Sequence, residues 1–202
     1  MIFTEYADHK LMMRASCCLC LLSFAALSAQ ADLANKADED GFVALSQWEG
    51  DRSVWKINGE LIQGRSNGVN PAPLLIPGRE FSTFELRFEA RVMEGAVRVK
   101  VLGPGRGPVG VALEIDTRTV YWSIQSSHGY FLFSNTPGEW AEYRVMVRGG
   151  GFRVDRNGKR PAHHVGLGDG PQTGQLALQL VDDEPSIVEL RKMRIRESLP
   201  AR

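Results

Sequence analysis

Cysteine is nearly missing from this chain: of 202 residues only Cys17, Cys18 and Cys20 carry a thiol, and all three fall within one apolar run near the N-terminus. Beyond that run there is no thiol for a disulfide or a soft-metal site, so packing has to hold the fold. Neither charge is in excess, since Lys plus Arg and Asp plus Glu each number 24. A balanced chain without a dense Lys/Arg cluster lacks the field that neutralises phosphates, which excludes nucleic acid as an expected partner. The apolar run is too short for a permanent membrane helix, which takes about 20 residues. Sustained helical periodicity, internal repeats and low-complexity tracts are also lacking. No metal or other cofactor is expected.

The apolar run has another reading. Arg14 is followed by ASCCLCLLSFAAL and then by Ser28-Ala29-Gln30-Ala31, a small-x-small pattern. This predicts a secretory signal peptide over residues 1–31, cut after Ala31, and hence a periplasmic or secreted protein. A start at Met12 or Met13 gives a compact positive n-region, whereas the first eleven residues carry Glu5 and Asp8. Removing the leader takes Lys10 and Arg14 with those two acids, so each count falls from 24 to 22 and the exported chain stays neutral. A polar stretch over 32–40 reads as a linker, and 41–198 as one domain.

Within that domain nearly every segment has period two. Phe84, Leu86, Phe88, Ala90 and Val92 alternate with Glu85, Arg87, Glu89 and Arg91, which is a half-buried strand. The same holds for Val97, Val99 and Val101, for Val111, Leu113 and Ile115, and for Val120, Trp122 and Ile124. Tyr143, Val145 and Val147 lead through Gly149–Gly151 into Phe152 and Val154, and Asn157-Gly158 supplies a further tight turn. Two more strands run over Gln175–Val181 and Ser186–Arg196. About a dozen short strands between Gly/Pro turns predict an all-β protein, a sandwich or barrel.

The order of motifs narrows this further. Trp48-Glu49-Gly50, Val54 to Leu61 (VWKINGEL), Phe81 to Phe88 (FSTFELRF), Pro137 to Val145 (PGEWAEYRV), Asn157-Gly158 and Val188 to Glu197 (VELRKMRIRE) together resemble the secreted 3-keto-disaccharide hydrolase domain family. The resemblance spans Gly41 to Glu197 and implies a two-sheet antiparallel jelly-roll sandwich of the concanavalin A-like type, with a carbohydrate (an oligosaccharide or glucan) as substrate. The family carries its site on the middle strands of one sheet. Its usual first acid falls here on Ala112.

Those middle strands hold the candidate site. Glu114 and Asp116, two apart on a strand, present two carboxylates to one side. They also resemble the Glu-x-Asp-x-x-Glu motif of family-16 glucanases, whose third acid falls on Thr119. Arg98, Lys100, Tyr121, Ser123 and Gln125 share that side, and His128 lies in the next loop. A ketone acidifies its neighbouring C–H, so a carboxylate base (Glu114 or Asp116) and a cation (Arg98 or Lys100) suffice for chemistry on a keto sugar. Tyr121, Ser123, Gln125 and His128 are then the substrate-binding candidates. The bland alternative is that Glu114 and Asp116 form cross-strand ion pairs with Arg98 and Lys100. His163-His164 with Asp169 does not form a metal site on its own, because adjacent strand residues point to opposite faces. The charged side of the 142–159 stretch, with Arg144, Arg148, Arg153 and Asp155, is expected to face solvent. Three functions follow: a carbohydrate-active enzyme, a non-catalytic sugar-binding module, or a structural β-sandwich.

Overall fold

The computed structural model describes residues 37–69, 71–105, 110–124, 131–148, 150–161, 165–166, 172–181 and 183–197. Fourteen strands and no helix occur among them. In chain order these are β1 (Val43–Ala44), β2 (Trp55–Asn58), β3 (Leu61–Ser66), β4 (Leu74–Leu75), β5 (Phe84–Glu94), β6 (Ala96–Leu102) and β7 (Val111–Asp116). The second half adds β8 (Thr119–Ile124), β9 (Phe131–Ser134), β10 (Ala141–Arg148), β11 (Gly151–Arg156), β12 (Val165–Gly166), β13 (Ala177–Leu180) and β14 (Ser186–Glu197). One sheet runs β12-β11-β10-β5-β14-β3-β2 with β1 paired to β14, and the other runs β4-β13-β6-β7-β8-β9. Every pairing between these strands is antiparallel. The architecture is a two-sheet sandwich, one of the two forms the alternation predicts, and a jelly roll, as the family resemblance implies.

The apolar rows meet between the sheets. Phe84, Leu86, Phe88, Ala90 and Val92 of β5 are all buried, as are Val97, Val99 and Val101 of β6 and Leu113 and Ile115 of β7. Trp122 crosses the layer to stack on Phe152 of the larger sheet, ring centres 4.4 Å apart and planes 10° from parallel. Trp55 fills the gap left by Gly64, its register partner, and its Nε1–H donates to the Ala72 carbonyl at 2.8 Å. A Cβ on Gly64 would stand 2.6 Å from the Trp55 ring, so only glycine fits there.

Bulges and turns set the registers. Lys192, with φ of 53°, sits where the β14–β5 register shifts between Arg191 and Arg194, and Met193 is turned into the core. Asn157 and Gly158 both have positive φ, 48° and 72°, as a two-residue turn between bridged Arg156 and Lys159 requires. From Asp38 onward the polar stretch expected as a linker is tied to the domain. Asp38 accepts from the Phe42 amide at 2.8 Å and from Arg194 at 3.2 Å.

Candidate functional site

Alternation turns the polar side chains of β6, β7 and β8 away from the core, and the registers align them across the smaller sheet. Gln179 of β13 lies opposite Arg98, Arg98 opposite Glu114, Glu114 opposite Tyr121, and Tyr121 opposite Phe131 of β9. Opposed residues on antiparallel strands share a face, so these five form one row across five strands. The next row is Ala177, Lys100, Ala112 and Ser123.

Glu114 is the hub of the first row. Arg98 Nε donates to one of its carboxylate oxygens at 2.6 Å, and the Tyr121 hydroxyl donates to the other. The Glu114 side chain is only 6% exposed while that of Arg98 is 31% exposed, so the carboxylate is sunk and the guanidinium remains reachable. Burial pushes the Tyr121 phenol well above its ordinary value, and the hydrogen bond and negative charge of Glu114 push it further. Tyr121 therefore stays a proton donor at any physiological pH.

The other expected residues have different surroundings. Asp116 belongs to the β7–β8 turn: its Oδ1 accepts from the backbone amides of Arg118 and Thr119 at 2.5 and 2.6 Å, and its Oδ2 from the Thr119 hydroxyl at 2.5 Å. Such an Asx arrangement is what an aspartate at the head of a tight turn ordinarily does. Lys100 is buried, and its ammonium donates to the Pro104 carbonyl at 2.9 Å. Burial and the nearby Arg98 charge lower its pKa. The 104–105 loop thus folds over that end of the sheet, with the Gly105 amide donating to Gln175 Oε1 at 3.2 Å. Ser123 is half-buried at the edge of the second row. Gln125, His128, His163, His164 and Asp169 lie outside the described residues. Among the described residues no group of three or more His, Cys, Asp or Glu side chains could hold a metal ion.

Two members of the row were not foreseen, Gln179 and Phe131. Phe131 is 57% exposed, one of two large apolar side chains so placed among the described residues. The β8–β9 register shifts between Val120 and Tyr121, which sets Phe131 beside Tyr121 while Phe133 packs against the core. An exposed ring beside a polar row offers a flat apolar surface next to hydrogen-bonding groups.

The outer face of the larger sheet carries a lattice of ion pairs instead. Glu85 is held by Arg87, Arg144 and Arg196, Glu89 by Arg191 and Lys192, and Glu189 by Arg91. Arg91 and Arg191 stack on Trp140, and Arg87, Arg194 and Arg196 on Phe42. The charged side of the β10–β11 hairpin therefore does not face plain solvent: Arg144 clamps Glu85 at 2.6 and 2.9 Å, and Asp155 is buried.

The profile of the 3-keto-alpha-glucoside-1,2-lyase-like domain matches residues 35–196. No curated protein matches in sequence. Among solved structures, a glycosyl hydrolase-like protein of Parabacteroides distasonis is 16% identical, covering 78% of this chain and 99% of its own with a TM-score of 0.60. The carbohydrate-binding module CBM66 of Bacillus subtilis is 15% identical, covering 76% and 97% with a TM-score of 0.57. An alginate lyase of Corynebacterium sp. is 13% identical, covering 74% and 83% with a TM-score of 0.56. At such identities these structures establish a shared fold. None of the described residues forms a helix long and apolar enough to cross a membrane.

Proposed function

Since the chain belongs to the 3-keto-alpha-glucoside-1,2-lyase-like domain family, we propose that it binds a keto-glycoside across the Arg98–Glu114–Tyr121 row and cleaves it by elimination. The single observation that carries this reading is that the row presents one anchored carboxylate, while its neighbour Asp116 is tied into a turn. Hydrolysis with two carboxylates needs a second acid about 5 to 9.5 Å away across the scissile bond. Elimination next to a ketone needs one base and one cation.

Glu114 removes the proton from the carbon between the ketone and the anomeric centre. Arg98 stabilises the enolate oxygen that develops. The enolate then expels the glycosidic oxygen, breaking the anomeric C–O bond and leaving a carbon–carbon double bond conjugated with the ketone. Tyr121 gives its proton to the departing oxygen and recovers one from the protonated Glu114 across the hydrogen bond that joins them. Atoms balance: one C–H and one C–O bond are lost, one C=C bond is gained, and an alcohol leaves. Phe131 stacks on the sugar ring. The leader supports export, with a mature chain beginning at Asp32.

The test is a 3-keto-glucoside incubated with the purified mature protein. Elimination yields an enone that absorbs in the ultraviolet, whereas direct hydrolysis yields a saturated keto sugar. Glu114→Gln should lower the rate at least about a hundredfold, with an unchanged circular-dichroism spectrum and a cooperative melt as the folding control. A saturated product, or a Glu114→Gln variant of full activity, refutes the elimination reading. A second reading has its own support: both Glu114 oxygens already accept hydrogen bonds, from Arg98 and Tyr121. In that case the face is a binding module, and calorimetry would show the keto-glycoside bound without turnover.

A further inference from the structure

The outer face of the larger sheet has an imbalance that the whole chain lacks. Four carboxylates on it, Glu85, Glu89, Glu189 and Asp155, ion-pair with eight cations. Exposed Arg148 and exposed Glu142 add one charge of each sign. A protein with no net charge thus concentrates positive charge on one sheet, opposite the row built around Glu114. Guanidiniums shared in this way keep N–H groups free to donate outward.

The face also has a centre. Arg87, Glu142, Arg144, Asp155, Gly158 and Arg160 line a depression at the β10–β11 hairpin. Asp155 at its wall is 8% exposed. Its Oδ1 accepts no hydrogen bond, and the Arg160 Nε stands 3.5 Å away. Arg153 Nε is buried and likewise lacks a partner. Buried polar atoms left in this state cost free energy until something completes them. Arg160, with a side chain 63% exposed, lines the same depression.

We propose that this face is a second saccharide-binding surface, selective for a glycan that bears carboxylates, such as a uronic acid chain. A guanidinium fork matches a carboxylate in two parallel hydrogen bonds, and at the depression Arg87 and Arg144, already oriented by Glu85, hold a positive field beside exposed Arg160 at little further entropic cost. The interleaved acids decide the class of polyanion. Glu142 and Asp155 repel any polyanion, yet they accept from hydroxyls, which a uronic acid chain carries between its carboxylates and a deoxyribose–phosphate backbone lacks. A uronic acid chain supplies that alternation, with Arg148 and Arg160 on its carboxylates and Asp155 on a hydroxyl.

Isothermal calorimetry on the full-length mature protein tests this with three probes: a tetragalacturonate, a cello-oligosaccharide of equal length and a single-stranded oligothymidylate. The tetragalacturonate should bind, more weakly as salt rises, and the double variant Arg148→Gln/Arg160→Gln should bind it at least tenfold more weakly. Both positions are exposed, but Arg160 also pairs with buried Asp155, so Arg148→Gln alone serves as the control: it should melt with the wild type and already weaken uronate binding. Arg98→Gln and Glu114→Gln, on the opposite face, should bind the uronate normally even where they abolish action on a keto-glycoside. Failure of either proposal is therefore distinguishable from failure of the other. Equal affinity for the cello-oligosaccharide, tighter binding of the oligothymidylate, no binding of the uronate, or loss of uronate binding in the Glu114 variant would each overturn the proposal.

Discussion

Glu85→Gln is the sharpest probe of what fixes the larger sheet. The carboxylate is only 8% exposed and accepts four hydrogen bonds: from Arg87 Nε at 2.7 Å, Arg144 Nε at 2.6 Å and Nη2 at 2.9 Å, and Arg196 Nη2 at 3.0 Å. Glutamine has the same shape but turns one acceptor into a donor, so the two bonds to Oε2 are lost and the remaining two lose their charge. Bonds to a charged acceptor contribute roughly 1.5–3 kcal/mol each. The three arginine side chains are 24–40% exposed, so water takes over part of each bond, and about 2 kcal/mol in all is the expected loss. Burial by itself would raise the pKa of Glu85, but the hydrogen bonds and charges of Arg144 and Arg87 outweigh it and hold the group at about 2, below its ordinary 4.5. A depressed carboxylate stabilises the fold in full above its unfolded pKa, and the contribution disappears as pH falls through the folded value. Urea unfolding should therefore separate wild type from Glu85→Gln by about 2 kcal/mol at pH 7, and by well under half of that near pH 2.5. A gap that does not shrink on acidification, or no gap at pH 7, refutes the reasoning.

Three further outcomes are expected. Gly64→Ala drives a methyl into the Trp55 ring and against Val188 and Leu180, at 2.6 to 3.1 Å, and should cost about 1–3 kcal/mol by chemical denaturation. Phe131→Ala, at a position 57% exposed, should leave stability within about 0.5 kcal/mol while weakening keto-glycoside binding by calorimetry. Unchanged binding would remove Phe131 from the site. Tyr121→Phe deletes the donor to Glu114 and should lower kcat more than KM in the enone assay. An equal loss in melting temperature and activity would point to a packing role instead.

The layers and the core were readable from the chain because burial on one face of a strand writes itself as alternation. Phe84 to Val92 and Val97 to Val101 needed no structure to place. The row of the candidate site was readable only where alternation and sequence proximity coincide, as in Arg98, Glu114 and Tyr121. Phe131 escaped because a register shift beside Tyr121, with no glycine or proline to mark it, decides which face it joins. Gln179 escaped because β13 comes from far along the chain. Asp116 looked like a second catalytic acid, and only the backbone shows its oxygens facing the amides of Arg118 and Thr119. The cationic sheet face was invisible for a related reason: its arginines are scattered singly from Arg87 to Arg196, and only the pairing of β5, β10, β11 and β14 gathers them.

The position of β14 has a consequence for how the protein is made. This strand comes last of the fourteen and yet is inserted between β5 and β3, where it also receives β1. A nascent chain lacking its final dozen strand residues thus holds two half-sheets with open inner edges, and open edges invite pairing with other chains. Closure must wait until synthesis of the domain is complete, and it joins segments far apart in sequence, which makes folding slow. Truncation at Pro185 is accordingly expected to yield aggregates, whereas the intact chain gains its larger sheet in one late, cooperative step.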